Sequence, residues 1–292
     1  MGIQHRREFL GSLAAAVALP AFARGIAPGP PPGFPEGLAP LPGGEVFEER
    51  DSGGFVVYDA RSLRPLHTGS KAWSLPPRAD TASVAKTFCA CAALRTGALG
   101  DGEALLCDGD GFKPDGHGRI AVVEALALSC NTFFEKAGAR ITWESFREAC
   151  RILGGLDGRL PARPAGLIQR LDVYAHGAGF ETGFEELARL ARAVALADPA
   201  DAALATVRKG WREAVTRGTA LDADVDGLEV AGKTGSLGEA PWERRFAAFA
   251  PLHDPRWVLA VRTAGQESAS PARIAGRVFR ALQSLQRTSR GS

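Results

Sequence analysis

The stretch from Thr81 to Leu94 constrains this chain most, because it combines a nearly all-apolar helix pattern with one serine and one lysine. Its sequence is TASVAKTFCACAAL, which predicts a helix buried on all sides. Ser83 and Lys86 lie three positions apart, so their side chains meet on one face of a helix. A serine hydroxyl becomes a nucleophile when a base takes its proton, and a desolvated lysine is such a base. We expect Thr81 to cap this helix and Gly97 to end it.

Lysine and asparagine are scarce in the chain, so the few that occur are informative. Arginine carries most of the positive charge and cannot act as a base, because it keeps its proton. Asn131 is the only asparagine. The lysines are Lys71, Lys86, Lys113, Lys136, Lys209 and Lys233.

Three short motifs contain several of these rare residues. Taken singly, each motif is weak evidence. Ser-x-x-Lys occurs by chance in most chains of this length, the serine and asparagine of the second motif are good helix caps, and the third motif suits an exposed strand end. Taken together, they favour an active site assembled from distant parts of the chain. In chain order the motifs are Ser83-x-x-Lys86, Ser129-x-Asn131 and Lys233-Thr234-Gly235.

As an ordered set, these motifs resemble those of the penicillin-binding protein transpeptidases, serine acyl-transferases related to the β-lactamases. The resemblance extends to the segments that lead into the second and third motifs, residues 117–134 and 211–236, and to the strand-like segment 246–251. It covers the chain from about Glu45 to the end. It implies an α/β fold of the α+β type, with an antiparallel five-stranded sheet flanked by helices and a helical lobe.

The resemblance also implies the chemistry of the first two motifs. Ser83 would attack the carbonyl between the last two D-alanines of a peptidoglycan stem peptide and form an acyl-enzyme. Lys86 would take the serine proton, and burial together with a second cation, Lys233, would favour its neutral form. Ser129 would relay a proton to the leaving amine. Asn131 would hold Lys86 and the substrate amide, because its side chain both donates and accepts hydrogen bonds.

The third motif is implied to bind the substrate. Lys233 would supply positive charge for the terminal carboxylate, and the hydroxyls of Thr234 and Ser236 would bond to it. Gly235 would let an edge strand approach the substrate closely. The backbone N–H groups of Ser83 and Ser236 would form an oxyanion hole. This chemistry requires no cofactor and no metal, and we expect neither.

The implied partners are peptidoglycan stem peptides, β-lactams as covalent inhibitors and other cell-wall synthesis proteins. A net charge of +2 and the lack of a basic run with interleaved aromatics argue against nucleic-acid binding. We expect a transpeptidase. A D,D-carboxypeptidase or endopeptidase, a β-lactamase and a non-catalytic penicillin-binding sensor remain alternatives. A Glu-x-x-Leu-Asn segment, which would position a deacylating water, does not occur, so fast β-lactam hydrolysis is disfavoured.

A competing motif overlaps the third one. Residues 227–234 match the phosphate-binding pattern G-x-x-x-x-G-K-[ST], which would make the protein a nucleotide hydrolase. In such a loop a helix opens at the lysine, so that successive N–H groups cradle the phosphate. Here residues 228–231 are strand-like, and the segment Gly235–Pro241 does not favour a helix. We therefore expect no nucleotide at this position.

The N-terminal segment predicts export. His5-Arg6-Arg7-Glu8-Phe9-Leu10 matches a twin-arginine pattern, an apolar stretch follows at residues 12–22, and Ala21-Phe22-Ala23 is a small-residue cleavage site. The apolar stretch is too short to span a membrane. We expect a signal peptide at residues 1–23, a Pro/Gly-rich linker at 24–44 and a transpeptidase-like domain at 45–292. The expected location is periplasmic or otherwise extracytoplasmic.

The five cysteines are Cys89, Cys91, Cys107, Cys130 and Cys150. An odd number leaves at least one thiol free. No Cys-x-x-Cys occurs, and the spacing of the histidines does not predict a zinc site. Three of the five, at 89, 91 and 150, have the surroundings of small core residues.

Hydrophobic patterning predicts strands at both ends of the domain and helices between them. The predicted helices, besides the first, cover residues 120–128, 132–139, 143–153, 184–196 and 271–285. The predicted strands cover residues 55–59, 66–68, 228–231, 245–250 and 257–262, the first two forming a hairpin.

Overall fold

The computed structural model describes residues 38, 40–41, 46–72, 75–110, 113–237, 242–265 and 268–290. The predicted signal peptide, residues 1–23, lies outside the described residues, as does most of the predicted linker, residues 24–44.

Along the chain, the strands of the main sheet come from the beginning and the end of the domain, and most of the helices lie between them in the sequence. The strands are β1 (Gly53–Asp59), β2 (Pro65–Lys71), β3 (Ala79–Asp80), β4 (Ala104–Cys107), β5 (Gly118–Ala121), β6 (Glu181–Thr182), β7 (Ala231–Ser236), β8 (Glu243–Ala250) and β9 (Trp257–Ala264). The helices are α1 (Lys86–Arg95), α2 (Val122–Leu128), α3 (Asn131–Gly138), α4 (Trp143–Ile152), α5 (Leu167–His176), α6 (Phe184–Ala195), α7 (Ala202–Arg217) and α8 (Pro271–Arg290).

Five strands form an antiparallel sheet in the order β2-β1-β9-β8-β7, which confirms the predicted sheet. Successive side chains of a strand point to opposite faces, and here both faces are covered. Val56 and Tyr58 of β1 pack into a core shared with the helical lobe. Phe55 and Val57 pack into a second core beneath α8. Burial on both faces explains why the strands have continuous apolar runs instead of alternating polar residues.

Helix α1 lies at the centre of the helical lobe, where it packs against α3, α4, α5 and α7. Its residues 86–93 are all buried, as its apolar composition predicts. The helix ends at Arg95, and Gly97 follows with a φ of +68°, so the predicted stop is confirmed. A short 3₁₀ turn, Ala82–Ala85, leads directly into α1.

Some details of the sequence predictions were wrong. Thr81 does not cap the helix with its side chain, because its hydroxyl donates to the carbonyl of Phe180 instead. Ile120 belongs to β5, whose pairing with β4 takes it out of the predicted helix. Of the predicted strand 228–231, only Ala231 is in a strand, and β7 continues through the third motif.

The sheet β4–β5 and the helices α5 and α7 were not predicted. Among the described residues, no helix combines the length and the apolar character required to cross a membrane.

Candidate active site

The 3₁₀ turn before α1 positions the candidate nucleophile. Ala82 has a φ of +53°, a left-handed conformation that costs energy for a residue with a Cβ atom. The backbone of Gly177 lies against this turn, and a Cβ atom there would lie 2.5 Å from the Ala82 nitrogen. The packing of Gly177 therefore supports the conformation of the turn. Ser83 remains partly accessible at the start of a buried helix.

Lys86 links the first two motifs. Its Nζ lies 2.6 Å from Ser83 Oγ and 2.6 Å from Asn131 Oδ1. The predicted contact across one helical turn is therefore present, and the sole asparagine is the second partner of the amine. The side chain of Lys86 is 0% exposed. Burial lowers the pKa of Lys86 to about 8, an effect that nearby groups such as Cys130 and Asp110 partly offset.

The second motif is the junction between two helices. Ser129 ends α2 in the left-handed conformation, with a φ of +55°, and Cys130 caps α3, in which Asn131 is the first residue. The junction between two helices is therefore present, but the side chain that caps α3 is that of Cys130, and the side chains of Ser129 and Asn131 contact lysines instead. The tight turn separates the two side chains, so that Ser129 Oγ accepts from Lys233 Nζ at 2.8 Å while Asn131 contacts Lys86.

The third motif lies on β7, an edge strand of the sheet. Lys233 is 0% exposed, and its Nζ also donates to the Thr234 carbonyl at 2.8 Å. The Thr234 hydroxyl lies 2.7 Å from the hydroxyl of Thr219, a contact that the sequence did not predict. Ser236 ends β7 on the exposed side. The motif thus combines one buried amine with two hydroxyl-bearing residues on an edge strand that contacts the Ser83 turn.

Gly235 permits a close approach between this strand and the nucleophile turn. A Cβ atom at Gly235 would lie 3.0 Å from Val84 Cγ2 and 3.1 Å from the Thr81 carbonyl. These distances are tighter than ordinary van der Waals contact. The glycine therefore lets β7 pack against the turn itself, an approach that the sequence argument had assigned to the substrate.

The two amines form a buried pair. Burial lowers the pKa of Lys233 well below its usual range, and the positive charge of Lys86 lowers it further. Among the described residues, the structure gives neither amine a carboxylate partner within salt-bridge distance. A doubly protonated pair is therefore disfavoured, and one amine is available as a base.

Three solved structures share this fold at low sequence identity. The D,D-transpeptidase domain of a peptidoglycan glycosyltransferase from Eggerthella lenta has a TM-score of 0.63 and 17% identity, over 82% of this chain and 79% of that one. The transpeptidase domain of a D,D-transpeptidase from Legionella pneumophila has a TM-score of 0.61 and 20% identity, over 80% and 88%. A peptidoglycan glycosyltransferase from Burkholderia ambifaria has a TM-score of 0.65 and 20% identity, over 82% and 90%.

The chain has the fold of a penicillin-binding protein transpeptidase domain. No protein-family model matches it, and no curated protein matches it. At these identities the likeness concerns the fold, so the argument about chemistry depends on the residues of the site.

Within this transpeptidase-like fold, Lys86 bonds to Ser83 and Asn131, and Lys233 bonds to Ser129. The charges of the two lysines interact, and Gly235 packs against the Ser83 turn. Thr234 and Ser236 flank Gly235 on β7. The structure also argues against the phosphate-binding loop, because β7 continues as a strand through Lys233 to Ser236 and no helix opens at the lysine. Sequence reasoning missed Thr219 as the partner of Thr234, Gly177 as the support of the turn and Cys130 as a helix cap. Thr219 lies in the segment 211–236, and the resemblance of that segment to the family was the signal that could have identified it.

Proposed function

We propose that this protein is a penicillin-binding serine D,D-acyltransferase that acts on D-Ala-D-Ala stem peptides as a peptidoglycan transpeptidase. The observation that carries the proposal is the position of the Lys86 amine, 2.6 Å from Ser83 Oγ and buried without a carboxylate partner among the described residues. A neutral amine in this position can accept the serine proton.

In the proposed first step, Ser83 Oγ attacks the carbonyl carbon of the D-Ala-D-Ala peptide bond while its proton passes to Lys86. The tetrahedral intermediate collapses, the C–N bond breaks, and the proton held by Lys86 passes through Ser129 to the leaving D-alanine amine, which leaves Lys86 neutral. Asn131 keeps Lys86 oriented through the 2.6 Å contact. The product of this step is a Ser83 ester and free D-alanine.

The substrate carboxylate would bind beside the third motif. Lys233 supplies the charge, because the approach of a carboxylate favours the protonated form of an amine whose pKa is lowered by burial and by Lys86. The hydroxyls of Thr234 and Ser236 supply hydrogen bonds. The backbone N–H groups of Ser83 and Ser236 would stabilise the developing oxyanion, to which one such donor contributes about 3–4 kcal/mol. In the second step an amine of another stem peptide attacks the ester and gives a proton to Lys86, which the first step left neutral. The C–O bond breaks, and Lys86 returns that proton to Ser83 Oγ.

The test is covalent labelling by a fluorescent penicillin, with Ser83→Ala as the variant and the exposed serine variant Ser284→Ala as a matched control. We expect the wild-type chain and the control to be labelled and Ser83→Ala to remain unlabelled. Persistent labelling of Ser83→Ala would refute the nucleophile. Release of D-alanine from a pentapeptide, with and without an added amine acceptor, then separates acyl transfer to an amine from transfer to water.

The same proposal places the activity outside the cytoplasm, with export through the twin-arginine pattern at residues 5–10. N-terminal sequencing of the exported protein should find a chain that begins near Arg24. A mature protein that retains Met1 would contradict cleavage.

A further inference from the structure

Three potential metal ligands converge beside the second motif. The Sγ atoms of Cys107 and Cys130 and a ring nitrogen of His117 all lie within 4.8 Å of one another. The His117 Nδ1 is 3.3 Å from Cys107 Sγ. Both cysteines are buried and the histidine is partly exposed, so the cluster lies just below the surface. The mechanism proposed above assigns none of these side chains a role.

The β4–β5 hairpin brings the first two ligands together. Cys107 pairs with Gly118 in the ladder, and the His117 N–H donates to the Cys107 carbonyl at 3.2 Å. The loop between them closes tightly, because a Cβ atom at Gly116 would lie 2.2 Å from that same carbonyl. Gly116 also has a φ of +68°, which favours glycine. The two ligands therefore lie next to each other, where the connection between β4 and β5 begins and ends.

Helix α3 brings the third ligand. Cys130 caps this helix, and its Sγ accepts from the Phe133 N–H at 3.4 Å. Two contacts clamp the hairpin onto α3: Thr132 Oγ1 donates to the Gly109 carbonyl at 3.1 Å, and Lys136 Nζ donates to the Leu106 carbonyl at 2.7 Å. The ligands thus belong to two elements whose relative position is set by contacts outside the cluster.

The donor set indicates the type of ion. Two thiolates and one imidazole suit a soft or borderline divalent cation such as Zn²⁺. At the usual Zn–S and Zn–N distances, ligand atoms of a tetrahedral site lie about 3.5–3.8 Å apart. Here the three ligand atoms lie within 4.8 Å of one another, with Cys107 Sγ and His117 Nδ1 at 3.3 Å, so side-chain rotation would bring the set to these distances on metal binding. A solvent oxygen would complete four-coordination.

We propose that Cys107, His117 and Cys130 form a Zn²⁺-binding site that holds the junction between α2 and α3 in its active arrangement. Cys130 lies between Ser129 and Asn131, which contact the two active-site amines. A cation bound to Cys130 ties this junction to the β4–β5 hairpin. The three ligands are positioning residues, since they act on the reaction through their neighbours in the second motif.

The direct test is the metal content of the full chain, purified without chelators and measured by inductively coupled plasma mass spectrometry. We expect about one zinc per chain, lost in Cys107→Ser and in His117→Gln, with the buried-cysteine variant Cys91→Ala as the matched control that retains it. Co²⁺ added to the zinc-free protein should produce a thiolate-to-metal charge-transfer band in the wild type and not in Cys107→Ser. His117→Gln removes a partly exposed ligand and keeps its size, so it covers the case in which the buried variant does not fold.

Three results would overturn the proposal. The first is wild-type protein with free thiols that binds no Zn²⁺ or Co²⁺ at micromolar metal. The second is a Cys107→Ser protein that binds as much metal as wild type. The third is a Cys107–Cys130 disulfide in the folded protein, found by peptide mapping without reduction, since two such thiols can also oxidise outside the cytoplasm.

The metal test is independent of the proposed reaction. Ser83→Ala should bind zinc with the wild-type stoichiometry even though it cannot be acylated. Removal of zinc from the wild type should slow penicillin acylation at least several-fold, and added Zn²⁺ should restore the rate. A protein that binds zinc but never reacts with penicillin would refute the enzyme and leave the metal site standing.

Discussion

Two pairs of buried basic side chains in this domain have opposite chemical environments. Lys86 and Lys233 are 0% exposed, as are Arg245 and Arg262. The arginines share the carboxylate of Glu243, each at 2.7 Å. The lysines have hydroxyl, amide and carbonyl partners instead.

The difference decides what each pair can do. Burial lowers the pKa of Arg245 to about 10, with the charge of Glu243 acting against the shift, so this side chain stays protonated at neutral pH. It donates to the Ala79 carbonyl at 2.9 Å, and Arg262 donates to the Pro77 carbonyl at 2.7 Å, so the pair anchors the segment before the nucleophile. The lysine pair has no such counter-ion among the described residues, and Lys86 can lose its proton. A counter-ion therefore distinguishes a structural cation from a base.

The strongest test of this comparison replaces the proposed base, Lys86, with a side chain that is always positively charged. Lys86→Arg keeps the positive charge but cannot give a neutral amine, so we expect penicillin acylation to fall by about 10³-fold, within the usual range for loss of a general base. The measurement is the rate of labelling by a fluorescent penicillin. Lys209→Arg, on α7 away from the site, is the matched control. Near-normal labelling of Lys86→Arg would rule out the base.

The second test removes the counter-ion from the arginine pair. Glu243→Gln leaves two buried guanidinium groups without their carboxylate, and breaking a buried ion pair in this way costs about 3–5 kcal/mol of unfolding free energy. Chemical denaturation measures the loss. Glu148→Gln, which breaks the exposed pair with Arg151, should leave the denaturation midpoint unchanged. A Glu243→Gln protein as stable as wild type would show that Glu243 is not required to hold the arginines.

The third test uses pH to titrate the base. Burial lowers the pKa of Lys86 to about 8, and the deprotonated amine is the reactive form. The acylation rate should therefore increase by up to tenfold per pH unit below about 8 and level off above it. Stopped-flow labelling over this range measures the profile, with far-ultraviolet circular dichroism at each pH to show that the fold persists. A rate that does not change between about pH 6 and 9 would contradict the assignment.

The smallest expected effect concerns the contact between the hydroxyls of Thr219 and Thr234. Thr219→Val removes the 2.7 Å contact to the Thr234 hydroxyl, and loss of one such hydrogen bond costs about 0.5–1.5 kcal/mol. We expect acylation to slow by about twofold to tenfold. Thr216→Val is the control, because the partners of that hydroxyl among the described residues all belong to its own helix. A larger loss in the control than in Thr219→Val would show that the effect is one of stability.

The sequence predicted the first motif and most of the fold because these depend on local geometry. Ser83 and Lys86 meet because residues three apart share a helix face, whatever the rest of the chain does. The strands β1, β8 and β9 were found from their apolar and β-branched runs, which persist because both faces of the sheet are buried.

The elements that were missed are those whose stability comes from distant contacts. Helix α7 contains Gly210, which weakens a helix in isolation. Glycine is required there because a Cβ atom at Gly210 would lie 2.7 Å from the side chain of Leu126 on α2. The short strands β4 and β5 likewise form their hydrogen bonds with each other, and their sequences show no strong alternation of apolar and polar residues.

By itself, the sequence determined that a serine and a lysine share one helical turn, and it predicted that an asparagine and a second lysine belong to the same site. The tertiary structure alone decided which partner each amine contacts, that Glu243 neutralises the arginines and not the lysines, and that Cys107, His117 and Cys130 converge. The physical reason is that sheet register and loop closure set these contacts, and residue spacing along the chain encodes neither.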